Sequence, residues 1–281
     1  MANKLTEPKR KYGLIPTERT SKDFRFEHEV AAPHKSELPA QFTGLVGYSP
    51  KAIDQMSVGM CTGCGTSRAL KNLLDSVNYK WPFTPSALDI YAKARLRAGN
   101  KLTDDTGASI KDVFDVINEL GVCPEDSNKE WSWPFSASDD RWQEMPPEAC
   151  QKDAALHKVI KYMRVKRDEN SIKTALYMGF PLVIGIAVHQ SFESKEVAKT
   201  GVIPMPGFPF FDPLLGYHCL RLDGYGMHTP DYADGVNSWG QSWGDEWVGY
   251  EGKGRGRFHI PFKYLTNHSL TSDIWAVQVM T

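Results

Sequence analysis

The sequence predicts an α+β protein with a helical first half and a β-rich second half. Two observations carry that expectation. Helical apolar spacing recurs between about residues 60 and 121, while short apolar runs punctuated by Gly and Pro fill the stretch after about residue 180. A third observation places a site between the halves: a cysteine lies in the first, and a histidine and an asparagine lie in the second.

Residues 1–38 are polar and mixed in charge, with Tyr12, Phe24 and Phe26 as scattered anchors, and read as an N-terminal arm or short pro-segment. Residues 39–145 read as a helical lobe and 146–281 as a β-rich lobe. In the first lobe, Ala69, Leu70, Leu73 and Leu74 share one face, so a buried helix runs from Met60 onward. A second helix spans Ser86 to Arg97, entered through Thr84 and Pro85. The third has Ser109 as N-cap and Asp112 at the third position in a loose capping box. It carries Ile110, Val113, Phe114, Ile117 and Leu120 on one face and stops at Gly121.

A Trp- and Pro-rich passage from Trp131 to Pro147 reads as irregular. A fourth helix from Asn170 to Met178 precedes the strand-like run Pro181 to Val188. Strand signals follow at Leu220–Leu222, Gly235–Asn237, Trp247–Tyr250, Phe258–Ile260 and Trp275–Val279, as in a small antiparallel sheet or barrel.

Composition excludes several classes. With 33 basic and 34 acidic residues the net charge is −1, so there is no electrostatic case for nucleic acid or an anionic membrane surface. No secretory signal and no bilayer-spanning apolar run are visible, and a cytoplasmic or virion-associated site is the expectation. Five cysteines argue against a disulfide framework, although Cys123 and Cys150 could pair in an oxidising compartment. No metal or cofactor is expected, and the oligomeric state is not legible.

Chemistry is concentrated in three stretches. The first is Gln55-Met-Ser-Val-Gly-Met-Cys61-Thr-Gly-Cys64, the second Gly216-Tyr-His218-Cys219, and the third Asn237-Ser-Trp239-Gly240. A cysteine at a helix start gains from free N–H groups that favour a thiolate. An imidazolium beside it completes an ion pair, and an asparagine oxygen can hold the other ring N–H. A glutamine amide and the cysteine N–H can meet the oxygen that becomes negative in a tetrahedral intermediate.

These stretches resemble the papain-like cysteine peptidases, most closely the subgroup of bacteria, phages and large viruses. The spacing of six from Gln55 to Cys61 and the Asn237–Gly240 motif match without a gap. So do Gly107-Ala-Ser-Ile110, Gly121-Val-Cys-Pro-Glu125 and Ser191-Phe-Glu-Ser194. The resemblance implies a two-lobe fold with a helical lobe, an antiparallel β-barrel lobe and a cleft between, acting on peptide or protein substrates.

Carried over residue by residue, it makes Cys61 the nucleophile, His218 the general base, Asn237 its orienter and Gln55 the oxyanion donor. Gly107 and Ala108 become the substrate-pairing edge, and Trp239 shields the Asn–His contact. Thr62, Met60 and Ala108 depart from the usual tryptophan, serine and glycine without removing a catalytic group.

Other readings of these residues exist. Cys64 as nucleophile would stretch the spacing from Gln55 to nine. A Cys61-X-X-Cys64 redox pair wants a strand before it, and a zinc site wants a second close pair. A silenced binding protein, or a thioester-forming transpeptidase or ligase, would use the same fold. The run Ile203 to Gly216 is expected either to pack over the barrel end or to wall the cleft.

Overall fold

In the computed structural model, the described residues are 10–31, 37–79, 81, 83–125, 132–135, 140–158, 160–246 and 254–279. The expected strand at Trp247–Tyr250 lies outside them. The arm ends in a single turn, α1 (Phe26–Glu29), whose Phe26 is buried while Phe24 is exposed.

The helical part is built on α2 (Cys61–Ser76), α3 (Ala87–Arg97) and α4 (Ile110–Leu120). Their starts follow from local chemistry. Ser86 Oγ accepts the Asp89 N–H at 3.1 Å, and Ser109 Oγ accepts the Asp112 N–H at 2.9 Å. Met60 offers α2 no side-chain cap, so the N–H groups of its first turn stay available at Cys61. Gly121 ends α4 at φ 78°. A short α5 (Glu148–Ala154), not foreseen from the sequence and following directly on the Trp/Pro-rich passage, packs Cys150 and Ala154 into the same core.

The β-rich part holds β1 (Ile160–Arg164), α6 (Glu169–Tyr177), β2 (Leu182–His189), α7 (Lys195–Thr200), β3 (Leu214–Tyr225), β4 (Tyr232–Val236), β5 (Asp245–Glu246), β6 (Arg255–Pro261), α8 (Phe262–Thr266) and β7 (Thr271–Val279). The strands form one antiparallel sheet in the order β1-β7-β2-β3-β4-β6-β5. Strand β3 is far longer than Leu220–Leu222, because its polar and glycine positions are stitched to β2 from Leu214 onward.

Among the described residues two large apolar cores result, with β3 between them, and a small third cluster holds Val46, Ala52 and Val236. Cys219 faces the helical core, where a Cβ on Gly65 of α2 would come 3.0 Å from its sulfur, while Leu220 and Leu222 face the other. That alternation sets the Cys219 face of the strand against α2, and the Cys219 backbone N–H, next to His218, reaches the Cys61 sulfur. No helix among the described residues is long and apolar enough to cross a membrane.

Candidate active site

All the nominated groups are drawn together except for the outcome of their protonation. Cys61 opens α2 and is fully buried. Its sulfur accepts backbone N–H groups of Cys219, next to His218, and of Gly13 in the arm. His218 sits mid-strand in β3. Its Nε2 lies 2.8 Å from Asn237 Oδ1. The Ser238 N–H donates to that same oxygen at 2.7 Å, which fixes the amide's orientation. Nε2 therefore carries the proton, and Nδ1 is left as a buried lone pair with no hydrogen-bond partner.

Gln55 is equally constrained. Its Nε2 donates to Val58 O at 2.8 Å and to Lys11 O at 3.2 Å, while its Oε1 accepts from Ser238 Oγ at 2.5 Å. Ser238 thus orients both Asn237 and Gln55, a role that its place inside the asparagine motif could have signalled. Trp239 covers His218 with ring centroids 5.3 Å apart, and Phe192 and Trp243 close in behind it. Cys64 lies one turn along α2 as a buried thiol, and all five cysteines are free.

The arm was the larger surprise. Residues 10–15 run through the cleft outside any helix or strand, held by both backbone and side-chain contacts. The Ala108 N–H donates to Gly13 O at 2.9 Å, the Ile15 N–H to Ala108 O at 3.0 Å and the Leu14 N–H to Tyr217 O at 3.2 Å. Tyr12 packs edge-on against His218 and hydrogen bonds to Glu193. Arg10 pairs with Asp54 at 2.5 Å and lies over Trp239, and Lys11 pairs with Asp105 at 2.8 Å. A cavity of about 620 Å³ remains beside this segment, lined by Arg10, Tyr12, Glu193, Leu215 and Trp239.

Farther along, the arm is clamped by Arg164, which bridges Asp23 and Asp273 at 2.8 Å each. Of the Pro-rich run, Leu215 and Gly216 reach the cavity. Phe208, Phe210 and Phe211 stand 72–81% exposed instead of packing over the barrel end.

Burial decides the protonation state. It pushes the Cys61 thiol up to about 11, against the lowering by the N–H groups of Cys219 and Gly13. It also pulls His218 down to about 4, outweighing the Asn237 hydrogen bond. With the arm in place both groups are neutral, rather than the thiolate–imidazolium pair expected from the sequence. A second buried imidazole, His259, is held by Asp234 at 2.5 Å and Asp245 at 3.0 Å.

A thiol at a helix start, an imidazole steered by an amide and a second amide beside them define the thiol acyl-transfer class. Residues 54–258 match the papain family of cysteine proteases, and the chain belongs to that family. It is 30% identical over 237 residues to an uncharacterised peptidase C1-like protein of Acanthamoeba polyphaga mimivirus, spanning 82% of this chain and 70% of that one.

The crystal structure of xylellain, a cysteine protease from Xylella fastidiosa, superposes with a TM-score of 0.80 at 28% identity over 98% of both chains. Digestive procathepsin L2 from Tenebrio molitor larval midgut shares the fold at a TM-score of 0.68 and 17% identity, over 96% of this chain and 78% of its own. The protein is a cysteine-type peptidase with peptide or protein substrates. Neither the silenced nor the ligase reading is favoured.

Proposed function

We propose that Cys61 is the nucleophile, His218 the general base and then acid, Asn237 its orienter and Gln55 an oxyanion donor. One observation carries this. The Ser238 N–H pins Asn237 Oδ1, which pins the His218 tautomer, and the remaining lone pair on Nδ1 has no partner but sits on the strand whose next N–H binds the Cys61 sulfur.

In the reaction, the Cys61 proton passes to Nδ1 as the sulfur attacks the scissile carbonyl. The tetrahedral oxygen takes the N–H groups of Gln55 and Cys61. Collapse expels the amine, which receives the proton from His218, and leaves a thioester. Water then attacks that thioester, giving its proton to His218, and the thiol is regenerated.

Gly107 and Ala108 supply the edge on which substrate backbone pairs, and Trp239 keeps water from the His218–Asn237 contact. Residues 39–145 and 146–281 serve as the two lobes. Residues 1–38 form an arm of two parts: residues 10–15 gate the cleft, and residues 17–26 brace the body. Support for gating is that Gly13 presents an N–H, not a carbonyl carbon, to the sulfur, while Lys11 O occupies the Gln55 donor.

Labelling with a peptidyl electrophile followed by mass mapping tests the assignment. Modification of Cys61, lost on His218→Ala, is expected. Modification of Cys64 with Cys61 untouched would overturn it.

A further inference from the structure

Lys11 touches both the oxyanion donor and a carboxylate. Its carbonyl accepts the Gln55 N–H at 3.2 Å, and its ammonium lies 2.8 Å from Asp105 Oδ2. A residue whose carbonyl sits at Gln55 thus has an acid within reach of its side chain.

Asp105 is built into the site rather than loose on its rim. Its side chain is only 9% exposed. The Gly59 N–H donates to Oδ2 at 2.9 Å, and the Tyr91 hydroxyl donates to Oδ1. Tyr91 Oη in turn accepts the Gly107 N–H at 3.0 Å. Gly59 is two residues ahead of Cys61 and Gly107 is next to Ala108, so the carboxylate is fixed against both the nucleophile helix and the substrate-pairing edge.

Lys11 is the close ion-pair partner of Asp105, and the Arg95 guanidinium acts on it only at longer range. Arg95 stacks over the Tyr91 ring at 4.3 Å, but its donors go to the backbone oxygens of Leu102, Asp104 and Trp142. Among the described residues, Lys11 is the one cation within ion-pair distance of Asp105. When the arm leaves, a nearly buried carboxylate loses its close ion-pair partner and keeps only the more distant Arg95, so a side chain that restores the pair is favoured over a neutral one of similar length.

Resting on the roles given above to Cys61 and Gln55, we propose that Asp105 is a specificity-determining residue. It selects a lysine or arginine side chain on the residue that supplies the scissile carbonyl. Lys11 is the resident mimic of that side chain, with its carbonyl at the same donor. Selection acts through a charge-assisted hydrogen bond to a carboxylate that is itself nearly buried, although the Lys11 side chain stays 46% exposed.

The test uses the full chain carrying Gly13→Ala, which is expected to raise the open population, and two peptides differing only in lysine or norleucine at the residue before the scissile bond. The lysine peptide should have a kcat/KM about tenfold higher or more, the scale of one charge-assisted hydrogen bond. Asp105→Asn in the same background should bring the ratio close to one while norleucine hydrolysis continues. Should Asp105→Asn fail to fold, the ratio in the parent still decides. Equal rates on both peptides would overturn the proposal and leave Asp105 as an acceptor for Gly59 and Tyr91. Turnover of neither peptide would sink the catalytic assignment, and the pocket with it.

Discussion

Replacing Gly13 with alanine should open the cleft. A Cβ at this position would lie 1.7 Å from Gly59 O and 2.4 Å from its carbonyl carbon, where ordinary contact begins at 3.4 Å. Both are backbone atoms, so no rotamer change relieves the clash, and the segment must move. On its other side the arm is equally tight, since a Cβ on Gly107 would come 2.2 Å from Gly13 O.

Displacement breaks the Ala108 N–H to Gly13 O bond and the Gly13 N–H to Cys61 Sγ bond, and it loosens the Gln55 bond to Lys11 O. At about 1 kcal/mol net for each bond, losing two or three costs the closed form ~2–3 kcal/mol. That raises the open population roughly 30- to 150-fold while the open form remains the minority.

The readouts are the initial rate on a small fluorogenic peptide and the rate of Cys61 alkylation by a small reagent, both against the unaltered chain. Residues beyond the cleft remain clamped through Arg164 to Asp23 and Asp273, so the fold should persist with a modest fall in melting temperature. A lower melting temperature with both rates unchanged would refute gating and leave bracing as the arm's only role.

Three further outcomes are expected. Cys61→Ala should abolish turnover, whereas Cys64→Ala should retain it and cost about 1 kcal/mol in urea unfolding, as a small buried truncation does. Ser238→Ala keeps the backbone donor to Asn237 but frees the Gln55 amide, so kcat should fall about tenfold with KM little changed, checked by steady-state kinetics.

The third concerns acid. His218 is held at about 4 by burial, below its unfolded value of roughly 6.5. The unfolded chain therefore takes up the proton first as pH falls. The stability from a neutral His218 is present above about 6.5, declines toward 4 and levels off below it. Melting temperature scanned over this window should slope more steeply for the unaltered chain than for His218→Gln; equal slopes would count against a buried neutral imidazole.

Much of the fold was legible because its signals are local. Ser109 caps the helix it was expected to cap, Ser86 caps the helix it was expected to begin, and α4 ends at Gly121, because each depends on hydrogen bonds within one turn. The run from Pro181 is a strand buried along its length, as its apolar sequence suggested. Strand β1, with lysine, tyrosine and arginine, escaped notice because its residues are paired by β7 rather than marked by their own alternation. Helices α5 and α7 were missed as short elements whose burial comes from neighbours: Cys150 and Ala154 in one, Val197 in the other.

The candidate site divides along the same line. Sequence by itself nominated Cys61, His218, Asn237 and Gln55, because a thiol nucleophile needs those residue types at a helix start and on a following strand. Spacing also favoured Cys61 over Cys64 without any coordinates.

Only tertiary structure decided what those groups are doing in this state. Neutral Cys61 and His218 follow from desolvation by burial, and Asp105 becomes part of the site because Gly59, Tyr91 and Lys11 meet around it. Burial and charge pairing are sums over neighbours distant in the chain, so no window of sequence contains them. Reaction class is written in residue types, whereas protonation, access and selectivity are written in what surrounds them.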